Sequence, residues 1–308
     1  MADEDNLVAA KSAAAALDSL GHQTTLFEVN AQSVERIGRL HPDFILNLAE
    51  GIGSLPNTEY QVVKILEGGK TPFSGSGSET IRLTTDKAET KKLLVAHGLK
   101  TPPFQVLLSG QRLTHPLPSP VIIKPVGKDG SIGINGHSVL VSLDEIYDQV
   151  DFVNKAYQEP ALVEQFIDGR ELNVTVLGSG LQTEVLPVSE IVFGPSFASR
   201  PKVVDFSAKW EQGSPAYKDT IGVCPAKLSA ETESEISRMA IRAASLTGCR
   251  NYCRVDFRLS ASGSPYILEV NANPGISPDS GVIRSARTGG RSYPEFLNEL
   301  VRLAIRGI

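Results

Sequence analysis

The chain has 308 residues, with 30 Lys and Arg against 35 Asp and Glu, and a formal net charge of −5. That length suits about two domains with a core large enough to need no disulfide or structural metal. The mild acidity excludes a binder of phosphate backbones, and a composition 41% apolar and 21% charged excludes a disordered chain, so no nucleic-acid partner is expected.

The acidic start, Met1 to Asp5, does not read as a secretory signal. No apolar run approaches the roughly 18 residues of a membrane span, so no membrane partner and a cytoplasmic location are expected. Leu7, Ala10, Ala14 and Leu17 recur at helical spacing, and Gly21 can end that helix. An extended run follows at Thr24–Val29, then a helix at Ser33–Leu40. Phe44–Leu48 reads as a buried strand that runs into the loop Ala49–Asn57. A helix at Thr58–Leu66 and the segment Pro72–Gly75 complete an α/β alternation, which predicts a doubly wound parallel sheet. Such a unit usually opens on a strand. Here a helix comes first, so the first strand is expected to be absent.

The helix Asp86–His97 ends at Gly98, with Pro102 and Pro103 beyond. From there the pattern changes. Short apolar runs at Val121–Ile123, Ala161–Val163, Leu172–Leu177 and Val185–Leu186 predict antiparallel strands. A helix at Leu143–Tyr157 is expected to open on a capping box of Ser142 and Glu145. Two more helices carry apolar faces: Ile236, Met239, Ala240, Ala243 and Ala244, then Phe296, Leu297, Leu300, Val301 and Ala304. The latter opens on the box Ser292–Glu295. The reading is an α/β domain over 1–84, followed by a larger α+β region.

The three cysteines, Cys224, Cys249 and Cys253, suit a reducing compartment, and without a nearby His they read as core residues. Gly69-Lys70-Thr71 only imitates the end of a Walker A motif, since Lys64 stands where its first glycine is required. Gly75-Ser76-Gly77 lacks the third glycine of a dinucleotide fingerprint, which argues against a nicotinamide enzyme.

The strongest chemistry lies in two strands, Tyr252–Arg258 and Tyr266–Asn271, joined by the turn Ser260–Ser264. Side chains alternate along a strand, so Arg254 and Asp256 share one face while Cys253, Val255 and Phe257 share the other. Glu269 and Asn271 likewise share a face, opposite Leu268 and Val270. Pairing would gather two carboxylates, an amide oxygen and a guanidinium, a donor set suited to Mg²⁺ or Mn²⁺, with Arg254 able to hold a phosphate or an oxyanion. A solvated hairpin face is the plainer alternative. A second feature is Lys124–Gly133, a strand that delivers a lysine into a glycine-rich loop carrying Ser131. Such loops make anion nests, though glycine-rich turns are also common.

In order, Phe73-Ser74-Gly75-Ser76-Gly77, Asp86-Lys87, Ile123-Lys124-Pro125, Gly130–Gly133, Val163–Phe166 with Gly169-x-Glu171, Ala208-Lys209-Trp210, Cys224-Pro225-Ala226, Arg254-Val255-Asp256 and Glu269-Val270-Asn271 with Pro274-Gly275 resemble the ATP-grasp superfamily, and within it the D-alanine–D-alanine ligases. The resemblance runs from about Leu7 to the end. It implies an ATP-grasp fold over 85–308, with lobes of about 85–168 and 169–308. It also implies an ATP-dependent carboxylate–amine ligase that forms a dipeptide or related amide through an acylphosphate, with a place in peptidoglycan precursor synthesis. By the same resemblance Lys87 and Lys124 meet ATP phosphates, Ser131 closes over them, and Glu164, Gln165 and Phe166 form the adenine hinge. Glu171 is the ribose ligand, Lys209 belongs to the mobile loop, and Asp256, Glu269 and Asn271 hold Mg²⁺. Arg254 stabilises the tetrahedral intermediate and Ser280 holds the acceptor carboxylate. The partners implied are small amino acids and a second copy of the chain.

The chain departs from that pattern in its substrate half. Gly130 stands where the family has a serine, and Trp210 where it has a tyrosine. Glu4 is the one match for an N-terminal glutamate, and Ala49–Gly53 replaces a histidine-containing loop. Glu4, Trp210, Ser280 and Gly275 are therefore the substrate candidates, with D-alanine one substrate among several. A non-catalytic ATP-binding protein is the competing reading.

Overall fold

The computed structural model describes residues 2–53, 55 and 57–307, with side chains from residue 6 onward. In chain order the elements are α1 (Ala2–Asp18), α2 (Glu59–Glu67), α3 (Ser78–Thr85), α4 (Lys87–Ala96), β1 (Phe104–Leu107), β2 (Val121–Pro125), β3 (Val139–Leu140), α5 (Leu143–Tyr157), β4 (Ala161–Gln165) and β5 (Gly169–Leu177). Then follow β6 (Glu184–Val185), β7 (Ser189–Phe193), α6 (Phe206–Trp210), α7 (Pro215–Lys218), β8 (Thr220–Val223), α8 (Ala230–Thr247), β9 (Tyr252–Ser260), β10 (Pro265–Asn271), α9 (Gly281–Thr288) and α10 (Tyr293–Ile305).

Two antiparallel sheets organise the chain. The first has the order β1-β4-β2-β3 and packs Val150 and Val153 of α5 over an apolar face that includes Val121, Ile123 and Val163. The second has the order β10-β9-β5-β7-β8, with β6 pairing β5 beside it. Its buried face, with Leu172, Val174, Val255 and Phe257, lies in one cluster with Ile236, Ala240 and Ala243 of α8. Ser229 caps α8 at its start, and Gly248 ends it in the left-handed conformation that glycine adopts without strain (φ 76°). The box predicted for α10 is formed, with Ser292 and Glu295 bonding reciprocally.

The α5 box is not formed. Ser142 gives its carbonyl to the Ile146 N–H, but its hydroxyl makes no cap bond. Asp144 and Glu145 instead lie in the first turn, where the helix dipole favours negative charge.

The parallel sheet expected before residue 84 also differs. Among the described residues its strands reduce to an isolated parallel bridge, Ile45 with Phe73. The Ser74 hydroxyl accepts the Asn47 N–H at 2.8 Å, so a side chain takes the place of a further ladder bond. Thr24–Val29 forms no strand, while Phe27 and Val29 lean on the core around α8. The predicted helix Ser33–Leu40 is a 3-10 helix, Val34–Arg39. The chain's two ends meet, since Ala13, Ala16 and Leu17 of α1 share a cluster with Leu297 and Leu300 of α10. Among the described residues no helix is long and apolar enough to cross a membrane.

Candidate active site

β9 and β10 pair as the alternation predicts, with Asp256 opposite Glu269 and Arg254 opposite Asn271. Cys253, Val255 and Phe257 are buried on the other face. A bulge at Leu268 was not legible in the sequence. It lets Ile267 face the core opposite Phe257 while Glu269, two residues on, faces the site opposite Asp256.

Asp256 is the hub of this face. Its carboxylate takes two bonds of 2.8 Å from Arg254, one of 2.7 Å from Asn173 Nδ2 and one of 3.0 Å from Asn271 Nδ2. Burial and the nearby carboxylates Asp256, Glu269 and Glu171 shape Arg254, and the anions win, raising its pKa. Among the described residues Glu269 accepts no hydrogen bond, though Lys87 stands 3.9 Å from it. Burial draws its pKa upward, but Lys87, Lys124, Arg254 and Lys209 outweigh burial and hold it at about 2. It is thus an ionised carboxylate with free lone pairs inside a cage of cations.

The lysines come from α4 and from the first sheet. Lys87 opens α4 behind the Asp86 cap and is buried. Its ammonium donates to the Lys128 carbonyl at 2.6 Å and to Asp129 at 2.7 Å, and lies 3.9 Å from Glu269. Burial opposes its charge, yet Asp129, Glu269 and Glu159 raise its pKa. Lys124 on β2 pairs with Glu164 at 2.7 Å.

Glu164 is also held by Lys91, at 2.8 Å, and Lys91 donates to Thr101 at 2.6 Å. One buried carboxylate therefore serves two buried lysines. Burial pushes Lys91 down to about 8, with Lys124 adding to it, although Glu164 pulls the other way. Lys91 was missed in the sequence, where it reads as one more polar residue of α4.

The other hinge candidates surround this group. Gln165 ends β4, its N–H on the Pro103 carbonyl, and Phe166 is buried with the Arg258 guanidinium 5.4 Å from its ring centre. Glu171 takes a 2.9 Å bond from Arg258, while burial raises its pKa. Arg258 and Asn173 were legible only through strand register, which sets them opposite Glu171 and Asp256.

Two loops close over the lysines. Ser131, in the left-handed conformation (φ 64°), donates to the Val204 carbonyl at 2.6 Å. Trp210 donates from Nε1 to the Gly130 carbonyl at 2.9 Å, and Lys209 Nζ lies 5.5 Å from the Trp210 ring centre. A Cβ at Gly130 would stand 3.8 Å from Lys209 Nζ. The structure therefore brings Ser131, Lys209 and Trp210 together.

Ser280 caps α9, accepting the Ile283 N–H at 3.3 Å, and Gly275 is exposed in the loop after β10. The Glu4 side chain lies outside the described residues. Beside the site, Glu59 accepts from Asn273 Nδ2 at 2.9 Å, and Asn273 Oδ1 accepts from the Tyr252 hydroxyl at 2.8 Å. Burial, with Asp129 and Glu50 adding to it, outweighs the Asn273 bond and pushes Glu59 up to about 7. Glu59, Tyr60, Asp86 and Gly127 line a cavity of about 300 Å³ at this edge.

Among the described residues no three His, Cys, Asp or Glu side chains converge on one point. The donor set is two carboxylates and an amide. Asn271 spends its Nδ2 on Asp256, which leaves the amide oxygen for a cation. These hard donors fit Mg²⁺, which takes one or two carboxylates and completes its shell with water and phosphate.

Two antiparallel sheets with a cluster of cations between them define the class. The fold is similar to that of a Bacillus anthracis D-alanine–D-alanine ligase complexed with ATP, with a TM-score of 0.77 at 22% identity, over 98% of this chain and 92% of that one. The profile described as D-ala D-ala ligase C-terminus matches residues 93–302. An uncharacterized protein, y4sG, of Sinorhizobium fredii is 33% identical over 96% of this chain and 87% of its own length. A D-alanine–D-alanine ligase of Cupriavidus pinatubonensis is 32% identical over 98% and 88%, and one of Bordetella petrii 32% over 96% and 86%. The chain belongs to the D-alanine–D-alanine ligase family.

Proposed function

We propose that the protein is an ATP-dependent ligase that joins the carboxylate of one amino acid to the amine of a second, giving an amide, ADP and phosphate. The observation that carries this is Glu269, which accepts no hydrogen bond among the described residues, lies 3.9 Å from Lys87 and is held low by Lys87, Lys124, Arg254 and Lys209 together. Such a cluster suits a triphosphate and a divalent cation better than it suits a structural ion pair, in which the carboxylate would be spent.

In the first step a substrate carboxylate oxygen attacks the γ-phosphorus and ADP leaves. Lys87 and Lys124 take up phosphate charge, and Ser131 and Trp210 hold the loops shut against water. In the second step the amine attacks the acyl carbon and phosphate leaves with the former carboxylate oxygen. Arg254, oriented by Asp256, stabilises the oxyanion between these events. A divalent cation held by Asp256, Glu269 and Asn271 would, when bound, neutralise the nucleotide phosphates. Gln165, Phe166 and Glu171 are the nucleoside side of the site. Trp210, Ser280, Gly275 and Glu4 are the amino-acid side.

Phosphate release is the test, measured with ATP, Mg²⁺ and pairs of D- and L-amino acids. A pair that stimulates release, with Glu269→Gln abolishing turnover while ATP binding persists, supports the ligase. ATP binding without stimulation by any pair would instead make the chain a non-catalytic nucleotide binder.

A further inference from the structure

The face that carries Asp256 continues across three further strands. Strand register sets Glu269, Asp256, Asn173 and Ser189 opposite one another in a row from β10 through β9 and β5 to β7. Neighbouring strands lie about 4.8 Å apart, so Ser189 stands about 10 Å from Asp256 along this row. At that end Arg284, on the first turn of α9, donates from Nε to the Ser189 hydroxyl at 3.0 Å.

The rest of its guanidinium is unspent. Arg284 has no carboxylate within ion-pair distance among the described residues, whereas Arg170, Arg254 and Arg258 each have one and Arg291 has two. Its space exists because two residues are glycine. A Cβ at Gly222 on β8 would overlap the guanidinium, and one at Gly281 would lie 3.4 Å from Nη2 and 3.9 Å from Asn173 Oδ1. Asn173 is itself bonded to Asp256. The free edge of Arg284 therefore lies one side chain away from the hub where the amide would form. Burial is the largest influence on Arg284 and lowers its pKa, with Arg254 acting the same way, while Cys224 and Asp279 favour its charge. A half-buried guanidinium without an anion is costly, and a planar fork matches a carboxylate.

Resting on the ligase reading above, we propose that Arg284 selects the amine-bearing substrate by receiving one of its carboxylates in a two-pronged contact. The distance from Asp256 accommodates an amino acid spanning the gap with its amine at the hub. The carboxylate can be the α-group or that of an aspartate- or glutamate-like side chain.

The test pairs kinetics with calorimetry on the full chain. Probes are D- and L-alanine, aspartate and glutamate, together with the α-amides of each. Arg284→Met is expected to raise KM for the preferred amine substrate roughly 10- to 100-fold, with kcat and KM for ATP little changed, and to weaken its binding equally. Arg284→Lys should recover part of both. If the α-amides lose the Arg284 dependence, the α-carboxylate is the ligand; if they keep it with aspartate or glutamate, the side chain is. Unchanged KM and binding for every probe in Arg284→Met, with turnover intact, overturns the assignment and leaves the ligase standing. Amino-acid binding that depends on Arg284 in a protein without turnover keeps the assignment and removes the ligase. A wild-type protein with neither turnover nor amino-acid binding overturns both.

Discussion

At the residue scale the site depends on unequal charge counts. Glu164 has two buried lysines and one charge to give, so removal of Lys91 should act on Lys124 through their shared partner. Lys91→Met is expected to lower stability by about 3–5 kcal/mol in urea unfolding, as breaking a buried pair does, and to raise KM for ATP more than it lowers kcat. Glu59 has the opposite sign. Its pKa rises from 4.5 to about 7 on folding, so its contribution is fully present below pH 4.5 and is lost as pH rises through 7. Glu59→Gln should stabilise the protein at pH 8, by up to roughly 3 kcal/mol, and change little at pH 4, a difference that melting temperatures will show. Glu269, depressed to about 2, favours the fold above pH 4.5, and that contribution disappears as pH falls toward 2. The acidic, basic and amide members of the cage were legible because strand alternation alone sets Arg254, Asp256, Glu269 and Asn271 on one side. Lys91, Asn173 and Arg284 were not, because each acts through a partner distant in sequence.

At the element scale the hairpin and the two loops carry the geometry. Sequence alternation predicts the pairing of β9 and β10 but not the bulge at Leu268, which has no signature residue such as glycine there. The same limit applies to the amino-terminal segments. Phe44–Leu48 has the apolar pattern of a strand, yet a ladder needs a neighbour, and the Ser74 hydroxyl takes the place of one. The glycine-rich loop and the loop that carries Trp210 meet through two bonds, Ser131 to Val204 and Trp210 to Gly130. Trp210→Phe and Ser131→Ala should each raise KM for ATP severalfold, at about 1 kcal/mol per bond. The double variant should show more than additive loss, since either bond alone holds the loops together. Independent effects in that cycle would mean that the loops close separately.

At the scale of the whole molecule, the cage needs both sheets and a stable base. Lys124 comes from the first sheet and Glu269, Asp256 and Arg254 from the second, while α4, which carries Lys87, packs on both, so the cage exists only when the two sheets are in register. The base is closed by α1 against α10, where Leu297 is fully buried. Leu297→Ala should cost about 2–5 kcal/mol in urea unfolding while leaving KM for ATP near the wild-type value. A loss confined to nucleotide affinity would show instead that this helix pair steers the cleft.

The most direct measurement follows one oxygen atom. With the first amino acid labelled with ¹⁸O in its carboxylate, turnover should release inorganic phosphate carrying one label, together with an amide that has lost one. Phosphate without label, released while ATP is consumed, would mean that water attacks the nucleotide and that no acylphosphate forms.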